Sequence, residues 1–349
     1  MIPVLEAVPN FSAGRDRPLL DRLIRAAEDR GADVLDASAD ADHNRAVITF
    51  VGPPDVVEES AVALAELAVE AIDLREHRGV HPRIGALDVL PLVPLVGLTM
   101  DEARASARRV GERLAAEVGL PVYFYGESSE PPGRRLAELR RGGFESLARG
   151  FPEGRRPDLL PQGWSHAGAH PSAGAVCVGA RPLLLAWNVE VEGLSRDALE
   201  ELARSLREKS GGFPGLRALG FVRGPQALMQ ISMNFEDVAR RSPFEVFEAV
   251  ETRVVEWGGR IVETEVVGLI PDRLLLEAGA DRLTLRGPGM DRVLEHRLLN
   301  HVTDRVAREV DLLERSVLPH RSVLPAEVSD AVNRLVRALS NRRFRDLEP

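Results

Sequence analysis

Two histidine pairs stand four residues apart, His77 with His81 and His166 with His170, and His81 and His170 are each followed by proline. Imidazole at such spacing offers metal ligation or proton transfer near neutral pH. Ligation by an i,i+4 pair needs a continuous helix. Gly79 and Pro82 break the first pair, and Ala167-Gly168-Ala169 running into Pro171 breaks the second. No HExxH occurs and Cys177 is the single cysteine, so no metal is expected. Proton transfer suits His81 better, because its stretch HRGVHPRIGALDV places Arg83 two residues on, a planar fork for a carboxylate. On local pattern alone, a hydrogen-bonded loop histidine remains the plainer alternative.

Other polar groups sit at the ends of apolar segments. Asn44-Arg45 opens RAVITFVG, where Arg45 either faces a cleft and holds an anion or lies on an exposed edge. PNFSAGR, with Asn10, joins a strand to a helix, either as an anion site at the helix N-terminus or as an ordinary cap. VGARPLLLAWNV carries Gly179 and Arg181 into an apolar strand that contains Asn188, a polar side chain in need of a partner. Cys177 has no activating base nearby and reads as a small buried hydrophobe.

The elements that must position these groups follow from periodicity. PVLEAVPNF, DVLDAS, RAVITFVG, LDVLPLVPL and PVYFYG read as strands. RPLLDRLIRAAEDRG and PDVVEESAVALAELAVEAIDL read as amphipathic helices, as does a third helix opened by a Thr99–Glu102 capping box. After a breaker-rich stretch at 150–175, LLLAWNVEVE, SRDALEELARSLREKS, LRALGFV, ALMQISMNF, SPFEVFEAVETRVVEWG and RIVETEVVG repeat the order strand, helix, strand, strand, helix, strand. Each half therefore has a β-α-β-β-α-β order, the ferredoxin-like unit, in an α/β (α+β) chain. The expected division is 1–178, 179–280 and a helical, arginine-rich extension over 281–349. A ligand cleft is expected between the two halves.

The chain has 349 residues, 44% hydrophobic and 28% charged, with a formal net charge of −9. That balance opposes non-specific nucleic-acid binding. Lys209 is its one lysine, so no Walker-type GK[ST] exists. No signal peptide or membrane-spanning run is apparent, and a cytoplasmic location is expected.

Taken in order, VPNFSAGRD, DHNRAVITFVGPP, HRGVHPRIGALDVLPLVPL, GERLAAEVGLPVYFYGE, RRGGFESL, VGARPLLLAWNVEV and VETEVVGLIP resemble the glutamate formimidoyltransferase family over about residues 1–275. The resemblance implies transfer of the formimino group from N-formimino-L-glutamate to N5 of tetrahydrofolate, the co-substrate, within histidine and one-carbon metabolism. It implies a folate tunnel between the two subdomains and a homodimer, without a fused cyclodeaminase domain. His81, in the family's HPR motif, becomes the general base and acid. The folate loop falls on Ser165 to Gly174, including His166 and His170, ahead of Gly179-Ala180-Arg181. Asn10, Arg45, Arg83, Arg181 and Asn188 complete the expected substrate- and folate-binding set.

Two positions depart from the family pattern. Residues 163–166 read Gly-Trp-Ser-His where the family has an Asp-Phe-Gly-Pro-like stretch, and Ser38 stands where it often has an acidic residue. They motivate two alternatives: a folate-dependent paralogue with an N-formyl donor, or a catalytically silent folate- or anion-binding module.

Overall fold

The computed structural model of the protein describes residues 3–79, 82–223, 228–238 and 242–271, with 274, 275, 279, 315, 325 and 328 as isolated positions. It divides between Arg181 and Pro182 into two compact units. Among the described residues, no helix is long and apolar enough to cross a membrane.

The first unit opens with β1 (Val4–Ala7) and β2 (Asn10–Phe11), followed by α1 (Arg17–Glu28), β3 (Asp33–Asp40), β4 (Arg45–Gly52), α2 (Pro54–Ala71) and β5 (Leu87–Val96). α3 (Met100–Ala116), β6 (Val122–Phe124), the short α4 (Leu136–Leu139) and α5 (Gly143–Ala148), and β7 (Val176–Ala180) follow. Caps set the helix starts. The Asp16 carboxylate receives the Leu19 amide at 2.9 Å, and Thr99 with Glu102 forms the expected capping box of α3. The cap of α1 is Asp16, the residue that follows the PNFSAGR stretch.

The described strands of this unit form one sheet. β3, β4, β1 and β5 pair antiparallel, β2 continues β1 between β4 and β5, and β7 lies parallel between β5 and β6. Alternation sends Ala46, Ile48 and Phe50 of β4 into the core with α1, α2 and α3. Each such large side chain removed from water stabilises the fold by about 1.5–3 kcal/mol. Arg45, Val47 and Thr49 point to the other face. There Ser38, Val47, Asn10 and Val89 stand in one row across four strands.

β7 differs from the sequence expectation. The sequence expectation leads Gly179 and Arg181 into the strand LLLAWNVEVE of the second half, whereas Val176–Ala180 completes the first sheet and Leu185–Glu192 is a separate strand. Every residue of β7 is buried, as suits a parallel strand covered on both faces. The 178/179 line would cut through it, so the first unit runs to Arg181.

The second unit contains β8 (Leu185–Glu192), α6 (Arg196–Leu206), β9 (Leu216–Arg223), β10 (Leu228–Phe235), α7 (Pro243–Glu256) and β11 (Arg260–Val267). Its strands pair antiparallel in the order β11-β8-β10-β9. Leu185, Val189, Ile231, Met233 and Phe235 bury one sheet face with Leu199, Leu202, Val246 and Val250 of the helices. In both units a strand-helix-strand-strand-helix-strand order places the fourth strand beside the first: β5-β1-β4-β3 and β11-β8-β10-β9. The extension expected over 281–349 lies outside the described residues apart from three isolated positions.

Glu6 on β1 is the anomaly of the first sheet. It is 7% exposed, one carboxylate oxygen is buried without a hydrogen-bond partner, and burial pushes its pKa up from 4.5 to about 7. Between those values the folded chain holds a proton there that the unfolded chain has released. Stability therefore falls as pH rises through this window, by about 3 kcal/mol for this group. Glu6→Gln is expected to be more stable than wild type at pH 8 and to lose that advantage near pH 4.5, as read by urea denaturation at both pH values. An advantage of equal size at both would show that Glu6 carries no such penalty.

Candidate active site

The site residues of the first unit gather where four segments cross: the β2–α1 loop, the β3–β4 turn, the chain between α2 and β5, and the turn before β7. Ser12 ties the first to the third, its amide donating to Ala86 O at 2.9 Å and its hydroxyl to Gly85 O at 2.7 Å. The Gly14 amide donates to Asn44 Oδ1 at 2.9 Å, and Asn44 Nδ2 donates to Arg78 O at 3.1 Å. Leu74 N donates to Ser172 O, Ala86 N to Ala173 O, and Ala175 N to Ile84 O, each at 2.8 Å. Gly174 has φ +74°, and a Cβ there would lie 2.0 Å from Ile84 O, so glycine alone lets these backbones meet.

His77 is buried in this junction, with Nε2 3.0 Å from Asn44 O. A carbonyl only accepts, so Nε2 carries the hydrogen and Nδ1 presents a lone pair, which is buried without a partner. Burial lowers the pKa of His77, and Arg83 and Arg15 lower it further against the opposing pull of Asn44 O, which keeps the ring neutral.

Beneath the junction lies a buried ion cluster. Asp88, fully enclosed, receives Ile84 N at 2.8 Å on one oxygen, and Arg45 Nη1 at 2.9 Å and Arg140 Nη2 at 2.5 Å on the other. Burial pushes the Asp88 carboxyl up, but Arg140, Arg45 and the Ile84 amide outweigh it and hold it below the usual range. Arg45 also donates from Nε to Asn10 Oδ1 at 3.0 Å, and Asn10 Nδ2 donates to Val8 O at 2.7 Å. Burial brings the Arg45 pKa down to about 10, partly offset by Asp88.

Of the expected residues, then, Asn10, Arg45, Arg83, His170 and Gly174 belong to this junction or border it. Arg45 is neither a free cleft arginine nor an exposed edge, for it is paired with Asp88. Arg83 is also paired, Nη2 meeting Glu145 Oε1 at 2.9 Å and His77 O at 3.4 Å. The His170 Nδ1 lone pair accepts the Ala173 amide at 3.0 Å, so this ring caps its own turn. Ser165 and His166 are exposed, and His166 stands edge-on to Trp164 with centroids 4.9 Å apart. Arg181 closes the first unit, its amide bonded to Leu92 O at 3.0 Å. Asn188 belongs to the second unit, where Nδ2 donates to Glu265 Oε2 at 3.1 Å. His81 lies outside the described residues. Among these residues no three His, Cys, Asp or Glu side chains group as metal ligands.

In chemical terms the site is an interlocked set of loops on an α/β sheet, held by a buried carboxylate with two guanidiniums beside the buried His77. The Formiminotransferase domain, N-terminal subdomain, matches residues 4–181, and the Formiminotransferase domain matches residues 186–287. The chain is 35% identical to glutamate formimidoyltransferase of Streptococcus pyogenes serotype M1, covering 79% of this chain and 92% of that protein. It is 36% identical to glutamate formimidoyltransferase of Thermoplasma acidophilum, covering 84% and 97%. Formimidoyltransferase-cyclodeaminase of Sus scrofa is 38% identical over 80% of this chain, but over 52% of its own length. The chain belongs to the formiminotransferase family.

Proposed function

We propose that this chain is a transferase that moves the formimino group of N-formimino-L-glutamate to N5 of tetrahydrofolate. The observation that carries this reading is the family match through both units, with two glutamate formimidoyltransferases covered over almost their whole length. N5 attacks the amidine carbon, a tetrahedral species forms, and glutamate departs as an amine that must gain a proton. His81 takes the proton from N5 and returns it to the leaving nitrogen, an effect typically worth about 10²–10⁴-fold. The loop junction holds the described residues on either side of that position, His77 to Gly79 and Arg83 to Ala86. Both substrates are anionic, and at the site two guanidiniums, Arg45 and Arg140, share the single carboxylate of Asp88, a local positive excess within a chain of net charge −9.

The finer features of the resemblance belong to the same proposal: ferredoxin-like subdomains, a folate passage between them, folate contacts along 165–174, a homodimer and a cytoplasmic setting. The strand orders within each unit support the first, and the others rest on the family.

Ser38 favours testing a second donor. It stands on the row of Asn10 without an acidic group of its own. Purified protein is expected to convert N-formimino-L-glutamate with a kcat/KM at least about a hundredfold above that for N-formyl-L-glutamate, measured with tetrahydrofolate in one donor panel. Preference for the formyl donor would replace this reading with the paralogue, and tight folate binding with no turnover of either would replace it with the silent module.

A further inference from the structure

We propose that Asn44 is a positioning residue of the transfer reaction, locking the loops of the site into one arrangement from the β3–β4 turn. The inference rests on the proposed function for its catalytic part. Asn44 is the one non-glycine residue with positive φ among the described residues, at +49°. That conformation is costly for most side chains and least so for asparagine, so the surrounding bonds must hold it.

Three bonds do so, and each goes to a different group. Gly14 N can only donate and Arg78 O can only accept, which fixes the orientation of the Asn44 amide between them. The Asn44 carbonyl takes the His77 Nε2 hydrogen. One residue therefore joins the β2–α1 loop to the turn that leads towards His81. The same turn is pressed close by a second device. A Cβ at Gly79 would lie 2.4 Å from His43 O and 3.0 Å from Asn44 Cβ, so only glycine allows this approach. The next residue, Arg45, is anchored to Asp88 and Asn10. A change at Asn44 is thus transmitted to Asn10, Arg45 and the 77–79 segment together, with no need for Asn44 to touch substrate.

Three substitutions separate backbone from side chain. Asn44→Gly keeps the positive φ at little cost but removes both amide bonds. Asn44→Asp keeps an acceptor for Gly14 N and loses the donor to Arg78 O. Asn44→Ala loses the bonds and strains the turn. In Asn44→Gly, kcat is expected to fall by about a hundredfold, the scale of a misplacement near 1 Å. Its KM should stay within about threefold and its unfolding midpoint within about 2 °C of wild type. Asn44→Asp should recover part of kcat.

Amide hydrogen exchange at Gly14 gives a readout free of turnover. It should accelerate about tenfold or more in Asn44→Gly and Asn44→Ala, and remain slow in Asn44→Asp. Activity of Asn44→Gly within threefold of wild type, or equal Gly14 protection in all variants, overturns the inference. So does a kcat loss that merely follows the unfolding midpoint across the series. If wild type itself transfers no formimino group, the functional reading falls while Gly14 exchange still decides whether Asn44 ties the loops.

Discussion

His81→Ala is expected to lower kcat for formimino transfer by at least about a hundredfold while leaving the KM for tetrahydrofolate within a few fold. The reaction must remove a proton from N5 and deliver one to glutamate nitrogen, and a near-neutral imidazole does both at working pH. His77 and His170 are poor substitutes. His77 spends Nε2 on Asn44 O in a buried, neutral ring, and His170 spends Nδ1 on the Ala173 amide. External imidazole should restore part of the His81→Ala rate, since only the shuttle is missing. A loss under tenfold, checked by steady-state kinetics beside wild type, would remove His81 from the proton path.

Asp88→Asn is expected to destabilise the protein by about 3–5 kcal/mol at pH 7, because it leaves two buried guanidiniums facing a neutral amide. Arg45 and Arg140 are only 12% and 13% exposed, so water cannot replace the lost charge. The Asp88 carboxyl is held below its usual range when folded, so its contribution is complete above the unfolded carboxylate value and disappears as pH falls. The gap between variant and wild type in urea denaturation should therefore narrow towards acid pH. Equal stability at pH 7 would show that the cluster contributes nothing net. Replacing Arg140 as well, in Asp88→Asn with Arg140→Met, should recover part of the loss by removing one stranded cation.

How far the sequence exposed this arrangement depended on whether a signal was local. The apolar, β-branched run in RAVITFVG and the Thr99–Glu102 box are short-range patterns, and the strand and cap they predict are present. VCVGA gives no strand signal of its own, being five residues between a breaker-rich stretch and Arg181-Pro182, and its pairing with β5 and β6 involves residues some 50 to 90 positions away. The loop junction is non-local in the same way. Arg45 was visible as a candidate, but its partner Asp88 lay inside LDVLPLVPL, which reads as a plain buried strand. A lone aspartate within such a run was the available signal, because a buried carboxylate needs compensating donors. Arg140 and Glu145 belong to RRGGFESL, a motif with no chemistry of its own until α4 and α5 bring it against Asp88 and Arg83. Asn44 drew notice only as the neighbour of Arg45, since a left-handed φ cannot be read from DHNRAV alone.

The central claim is best tested by following the transferred carbon. N-formimino-L-glutamate labelled with ¹³C at the formimino carbon is incubated with tetrahydrofolate and the purified protein, and carbon NMR is recorded as free glutamate appears. The label is expected to move to N5 of the folate in a 1:1 ratio with released glutamate. Label that stays on glutamate, or leaves as formate without reaching the folate, would contradict it.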